Sequence, residues 1–270
     1  MARIDIDPGR VAALIADIAE TEIAQRYGKL APSEIREKSG PTDLVTEVDE
    51  ATEAALKKAL LGIRPDAGFI GEEAAAKDPR VVDALSGSGA FWVVDPLDGT
   101  RNFVAGVDEF GTIVAFVEGG ETRMGWIYGV PDKACAIAVQ GGGARWKDAP
   151  IKPKPETKGK MIALRSLGWA RPGRQEHLRA LLKDRFDSRP GYCSAYAYLL
   201  LAQGLVDFKL SSRIHPWDHA AGALLVREVG GKAAFLDDEA DYPPAPSVDR
   251  LLLATAPGRD WRAIAAELND

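Results

Sequence analysis

The sequence predicts an α/β protein of layered sheets and helices. Two observations carry this. Helical stripes alternate with short β-type apolar runs, and one region strings three such runs together with turn residues between them. Composition agrees: 46% of the 270 residues are hydrophobic and 27% charged, ordinary globular values that exclude wholesale disorder. The length suits one large domain or two smaller ones, with a core that needs no disulfide staples.

The elements follow in order. Between Pro8 and Tyr27, Val11, Leu14, Ile15, Ile18, Ala19 and Ile23 recur at helical spacing, and Gly28 is a stop. The polar stretch Ser33–Thr42 reads as an exposed loop or hairpin. A second helix is expected from about Asp49 to Ile63, burying Ala55, Ala59, Leu60 and Ile63 and pairing Glu53 with Lys57. Phe69-Ile70 and Phe91–Val94 are strands, each running into acid. Thr112–Val117, Met124–Val130 and Ala134–Val139 form an antiparallel meander, followed by a hairpin turn at Gly141–Gly143. Pro150–Lys160 is linker-like and divides the chain into residues 1–150 and 151–270. Beyond it come strand Met161–Leu164, helices Arg174–Lys183 and Ser194–Gln203, strand Val206–Leu210 and helix Trp217–Val229, closed by Gly230-Gly231. Strand Leu251–Ala254 and helix Arg259–Leu268 end the chain.

Charge and cysteine usage exclude several function classes. Against 34 Lys and Arg stand 40 Asp and Glu, a net −6, so binding nucleic acid by bulk charge is not expected. Apolar runs such as Ala220–Val226 fall far short of the roughly 20 residues a membrane helix needs. The opening MARIDIDPGR lacks the pattern of a secretory signal. Cys135 and Cys193 are the only cysteines and read as small buried apolar residues, so the expected setting is a reducing cytoplasm.

The chain has no GxxxxGK[ST], HExxH, GxSxG or GxGxxG motif. His215 and His219 are separated by Pro216 at a helix start, which favours capping or surface roles over a zinc pair. The informative feature is acid at the ends of apolar strands. Asp95 and Asp98 flank Pro96-Leu97 directly after Phe91–Val94. Two carboxylates about 4 Å apart repel by about 4 kcal/mol at an effective dielectric of 20. A hard divalent cation removes that cost, and oxygen ligands suit Mg²⁺; the plain alternative is an acidic turn. A helical turn beginning at Gly99-Thr100 would present free N–H groups to a phosphate, or Thr100 is simply an N-cap. Asp218 opens an amphipathic helix, where acid also complements the dipole.

Four blocks in this order resemble the inositol monophosphatase family: Asp43-Leu44-Val45-Thr46-Glu47-Val48-Asp49, Gly71-Glu72-Glu73, Asp95-Pro96-Leu97-Asp98-Gly99-Thr100-Arg101-Asn102-Phe103 and Trp217-Asp218-His219-Ala220-Ala221-Gly222. The resemblance spans nearly the whole chain. It implies a five-layer α-β-α-β-α sandwich, a homodimer, and Mg²⁺-dependent, lithium-sensitive hydrolysis of small phosphomonoesters. Carried over by motif, Glu72, Asp95 and the Leu97 carbonyl hold one Mg²⁺ and Asp95, Asp98 and Asp218 a second, with a third, weaker ion near Glu72. Asp49 and Thr100 match the pair that activates water, Gly99 and Thr100 the phosphate-binding amides, and Lys38 a lysine before the second helix. Glu73 is left with support of its turn.

Substrate choice is where the chain departs from the pattern. Ser211 stands where the inositol monophosphatases place a hydroxyl-reading glutamate, and Arg101 replaces a small residue. Phe103–Gly106, Phe110–Thr112 and the Tyr192-Cys193-Ser194-Ala195-Tyr196 segment look like the histidinol-phosphatase branch. Ser194 and Ser211 are therefore the candidate selective residues. Inositol-1-phosphate is the first expectation, then histidinol phosphate, a 3′-phosphoadenosine-type nucleotide or fructose-1,6-bisphosphate. A regulatory protein of the transcription machinery is the reading from a different class.

Overall fold

A computed structural model describes residues 5–40, 43–155, 159–246 and 249–269. Helix α1 (Pro8–Glu22) is capped by Asp7, whose Oδ1 accepts from the Gly9 N–H at 2.8 Å. Strands β1 (Ile35–Gly40) and β2 (Asp43–Thr46) pair antiparallel as the expected hairpin. The Lys38 expectation concerns a side chain outside those described. Helix α2 (Glu47–Ile63) starts on a capping box between Thr46 and Asp49.

Leu60 alone of the face expected for α2 is fully buried; the helix is rotated so that Val48, Thr52 and Leu56 face inward as well. Glu53 turns inward rather than pairing with Lys57 on the surface. Its oxygens accept from the Glu73 and Ala74 N–H groups at 2.8 and 3.0 Å. Gly71 permits this, since a Cβ there would lie 2.2 Å from Glu53 Oε2.

The next segment builds a seven-stranded sheet. Its strands are β3 (Gly68–Gly71), β4 (Ala90–Asp98), β5 (Gly111–Glu118), β6 (Glu121–Gly129), β7 (Ala134–Val139), β8 (Gly143–Trp146) and β9 (Ala149–Pro150), adjacent in chain order. Two short helices interrupt it, α3 (Glu72–Lys77) after β3 and α4 (Thr100–Ala105) after β4. Only β3 and β4 run parallel; the rest is the expected meander, extended by β8 and β9.

The remaining chain forms β10 (Ile162–Ser166), α5 (Pro172–Arg185), β11 (Asp187–Pro190), α6 (Ser194–Ala202), β12 (Phe208–Ser211), α7 (Pro216–Glu228), β13 (Lys232–Phe235), β14 (Leu252–Thr255) and α8 (Trp261–Asn269). Its five strands order as β11-β10-β12-β14-β13, with β10 parallel to both β11 and β12. Strands β11 and β13 were not foreseen. Asp-Ser-Arg-Pro is an exposed edge strand without apolar alternation, and Lys-Ala-Ala-Phe is too short to show a period.

Strand alternation sorts the core into layers. Trp92, Val94, Val114, Phe116 and Trp126 face α1 and α2. Val93, Ile113, Ala115 and Ile127 face the other way, onto α6 and α7, whose far side meets Ala233, Phe235 and Leu252 of the small sheet. Phe208, Leu210 and Leu253 pack outward on α5 and α8. The order is α-β-α-β-α, the five-layer sandwich expected.

Helix α7 lies close to both its neighbours because small residues let it. A Cβ on Gly125 would come within 2.9 Å of Ala221 Cα, and one on Gly222 within 2.0 Å of Tyr198 Cδ2. Gly222→Ala gains about 1 kcal/mol of helix propensity. It must also displace a fully buried ring, and overpacking costs about 1–3 kcal/mol. A lower melting temperature is expected for it. Gly62→Ala, on the exposed side of α2 with nothing near the added methyl, should raise stability by about 0.5–1 kcal/mol. Thermal melts of the two variants beside the parent check both signs.

Candidate active site

Strand β4 delivers acid to one place by a bulge. Asp95 pairs with Ile113 and Asp98 with Gly111, so three steps on β4 oppose two on β5. Residues three apart on a regular strand face opposite sides; the extra residue turns both carboxylates into one cavity. The Thr112 hydroxyl holds the bulge by donating to the Pro96 carbonyl at 2.9 Å. Gly99 then turns the chain at φ 87° into α4, where a Cβ would meet the Glu109 carbonyl at 2.9 Å.

Asp218 arrives from the third position of α7. One oxygen from each of Asp95, Asp98 and Asp218 lies within 4.8 Å of the others. Glu72, the first residue of α3, lines the same cavity with Leu97, Gly99, Thr100 and Ser194. Asp49 sits just beneath. Its Oδ2 accepts from the Thr46 N–H at 2.8 Å and hydroxyl at 2.6 Å, and its Oδ1 is 2.9 Å from the Thr100 hydroxyl, which is also 2.9 Å from the Leu97 carbonyl.

Two of these acids, Asp98 and Asp49, resist ionisation. Burial, with the nearby Asp218, raises Asp98 to about 7, although the Ala195 N–H and the Cys193 thiol donate to its Oδ2 at 2.5 and 2.9 Å. Burial raises Asp49 to about 6, against the bonds from Thr46. A cluster of hard oxygen donors with no thiolate or imidazole ligand, reluctant to ionise alone, fits a hard divalent cation.

Four side chains play parts the sequence reading did not assign. Lys209 on β12 is 2% exposed and lines the cavity. Its Nζ donates to Ser194 Oγ at 3.3 Å and stands 4.9 Å from the centre of the Tyr198 ring. Burial lowers it to about 8, with Asp218 and Asp98 pulling the other way. Phe208 and Leu210 face α5 and α8, so alternation alone sends Lys209 inward. Ser211 shares the face of Lys209, yet it is 1% exposed, its Oγ lacks a partner and it does not line the cavity. Lys209 and Arg213 stand at the wall instead.

Cys193 is buried as expected, but its thiol binds Asp98 rather than merely filling space. His219 is neither a cap nor a surface residue. It is buried and held neutral by burial and by Lys209. Its Nε2 donates to the Arg213 carbonyl at 2.8 Å, so Nδ1 accepts from the Tyr198 hydroxyl at 2.8 Å. Both nitrogens are committed, one to the loop before α7 and the other to α6.

A layered α/β sandwich with a carboxylate cluster beside short helix starts defines a class of metal-dependent phosphatases. The chain belongs to the inositol monophosphatase family, whose sequence model matches residues 9–269, and it is a phosphoric monoester hydrolase. It is 32% identical to a histidinol-phosphatase of Mycobacterium tuberculosis over 84% of this chain and 86% of that one. It is 31% identical to an inositol-1-monophosphatase of Bacillus subtilis over 76% and 77%. Among solved structures, an IMPase of Thermotoga maritima superposes with a TM-score of 0.79 at 22% identity, covering 97% of this chain and 95% of that one. Among the described residues, no helix is long and apolar enough to cross a membrane.

The raised carboxyls give a pH signature in the cation-free protein. The folded state keeps protons on Asp49 and Asp98 where the unfolded chain, near pKa 3.8, has released them. Unfolding then releases protons, and their contribution is lost as pH rises from about 4 to about 7. In chelator, the melting temperature of wild type should fall relative to Asp98→Asn across that window. A gap that stays constant with pH would remove Asp98 as the titrating group.

Proposed function

We propose that the cleft hydrolyses a small phosphorylated metabolite with Mg²⁺, two or three ions per site, held by Glu72, Asp95, the Leu97 carbonyl, Asp98 and Asp218. The observation that carries this is the Thr100 hydroxyl, 2.9 Å from Asp49 Oδ1, on the wall of the carboxylate cluster. Bound Mg²⁺ supplies Lewis acidity, acidifying a water and neutralising charge on the phosphate.

The chain's own groups do the rest. The Thr100 oxygen takes a proton from the attacking water as its own proton passes to Asp49 Oδ1, 2.9 Å away, so Thr100 ends as a hydroxyl again, and the proton on Asp49 is returned to the departing alkoxide. Asp49, raised to about 6, is ionised near neutral pH yet basic enough to take that proton. The Gly99 and Thr100 N–H groups, freed at the start of α4, are donors for phosphate oxygens. No side-chain nucleophile is required, and His219, with both nitrogens engaged, is not one.

Inositol-1-phosphate and histidinol phosphate are the first substrates to test. Lys209 and Arg213 stand near the place of a hydroxyl-reading acid, so preference moves toward leaving groups rich in acceptors. We read the protein as cytoplasmic, a setting its unpaired Cys135 and Cys193 suit, and as a homodimer, after the family resemblance.

Phosphate release in Mg²⁺ should vanish in excess chelator and return on adding the ion; full activity in chelator overturns the reading. Thr100→Val keeps the volume and removes the hydroxyl. It should lose about 10²–10⁴-fold in kcat, the usual range for a lost proton-transfer group, while still unfolding cooperatively at a modestly lowered melting temperature, since the Asp49 and Leu97 oxygens lose a donor. A loss under threefold would exclude Thr100 from the chemistry.

A further inference from the structure

The carboxylate cavity has two chemically different ends. At one, Thr100 meets Asp49, its hydroxyl 2.9 Å from Oδ1, and Glu72 is the neighbouring charge that acts on Asp49. At the other, Asp98 feels Asp218, and Lys209 stands near both. The layers set these ends apart. Asp49 rides on α2, which packs on the outer face of the large sheet. Lys209 comes from β12 of the small sheet, on the far side of α6 and α7.

Lys209 is held in place with donors to spare. It is 2% exposed, and among the described residues its Nζ has one hydrogen-bond acceptor, Ser194 Oγ at 3.3 Å. An ammonium has three N–H donors, so two stay uncommitted on the wall of the cavity. The centre of the Tyr198 ring, 4.9 Å away, is its other attachment. A buried cation with idle donors is costly to fold around, and an apolar residue of similar length would pack there at less cost. His219, on the same wall, has both nitrogens engaged and no donor to offer.

Displacement at phosphorus runs in line, with the attacking and departing oxygens on opposite sides of the phosphorus. With the water held at Thr100 and Asp49, the departing oxygen leaves on the side of Asp98, Asp218 and Lys209.

We propose that Lys209 is the catalytic residue of the leaving-group side, its ammonium donating a hydrogen bond to the ester oxygen that departs. As the P–O bond breaks, its electron pair passes to that oxygen, and the Lys209 N–H stabilises the growing negative charge. Lys209 keeps its proton, and the alcohol is completed by the proton that Asp49 took up. The role rests on the phosphatase reading and adds to it the group that receives the alkoxide.

Three esters whose leaving groups differ in acidity and carry no further hydroxyl test it: 4-nitrophenyl, phenyl and ethyl phosphate, at saturating Mg²⁺. Nitrophenolate departs unaided more readily than phenolate, and ethoxide least readily. Lys209→Met removes the cation at similar length; Lys209→Leu takes its place where a thermal melt shows Lys209→Met unfolded. In the variant, kcat/KM should fall at least about thirtyfold more on ethyl than on 4-nitrophenyl phosphate, with phenyl phosphate between, the scale of a lost oxyanion donor. Calorimetry with Mg²⁺ alone should show the variant binding the ion as tightly as the parent or more tightly, since a cation has left the side of Asp98 and Asp218.

An equal loss on all three esters overturns the role, because a structural or hydroxyl-reading residue would give that result. Weaker Mg²⁺ binding in the variant also overturns it, since the change then belongs to the metal site. Where wild type accepts only inositol-1-phosphate or histidinol phosphate, a heavy oxygen isotope in the bridging position decides. It should slow the variant more than wild type, and equal slowing overturns the role while leaving the phosphatase reading intact. Hydrolysis of no ester by wild type overturns that reading, and the role of Lys209 with it.

Discussion

Carboxylates resist being gathered in a low-dielectric place, yet here three of them have oxygens within 4.8 Å of one another, two on the end of a buried strand. The fold supplies what makes this tolerable. Helices α2, α3, α4, α6 and α7 all begin around the cluster, so contacts from their positive dipole ends favour negative charge there. The Ala195 N–H on Asp98 is one such contact, and the Cys193 thiol adds a second donor to the same oxygen. Buried Lys209 contributes charge of the opposite sign. These terms offset burial and repulsion only partly, since Asp98 is still held up near 7. A divalent cation bound among the three carboxylates would relieve the remaining deficit.

The layer order follows from the need to bring Asp218 to that point. The acids of β4 belong to the large sheet, and Asp218 rides on a helix shared by both sheets. Gly125 and Gly222 remove side chains on either side of α7, so sheet and helix backbones approach closely. The Tyr198 ring fills the space over Gly222, and its hydroxyl fixes His219, which in turn holds the Arg213 carbonyl. Packing in the middle layer and the position of the cleft wall are thus one connected set of contacts.

On the proposed reading, chemistry and selectivity come from different parts of the chain. The bulge of β4, the Gly99 turn and the start of α4 are contiguous, and they need only α2, α3 and α7 to complete the acid set. The wall facing the leaving group comes from the carboxyl ends of β10, β11 and β12. Apart from Lys209, which acts on Asp98 and Asp218, and the Arg213 carbonyl, which His219 holds, those ends are separate from the carboxylates. Relatives named histidinol-phosphatase and inositol-1-monophosphatase stand at similar identity to this chain, so the shared fold does not by itself select the ester.

The sequence by itself determined the acidic blocks, the meander, the helical stripes and the family. Each is a local pattern: acid after an apolar strand, glycine at a turn, a period of two or 3.6. What it left undecided depends on contacts between distant segments. Glu53 looked like a surface partner for Lys57 because periodicity does not reveal which face of α2 meets α3, 20 residues on. Ser211 looked like a substrate contact because spacing from Asp218 does not measure depth, and the pairing of β12 with β10 buries it. Lys209 passed as an ordinary strand residue because only the presence of packed layers on both faces of β12 makes its inward direction consequential. Arg101 of α4, Arg165 of β10, Arg179 of α5 and Arg213 line one hollow, and no local pattern encodes that meeting of four segments.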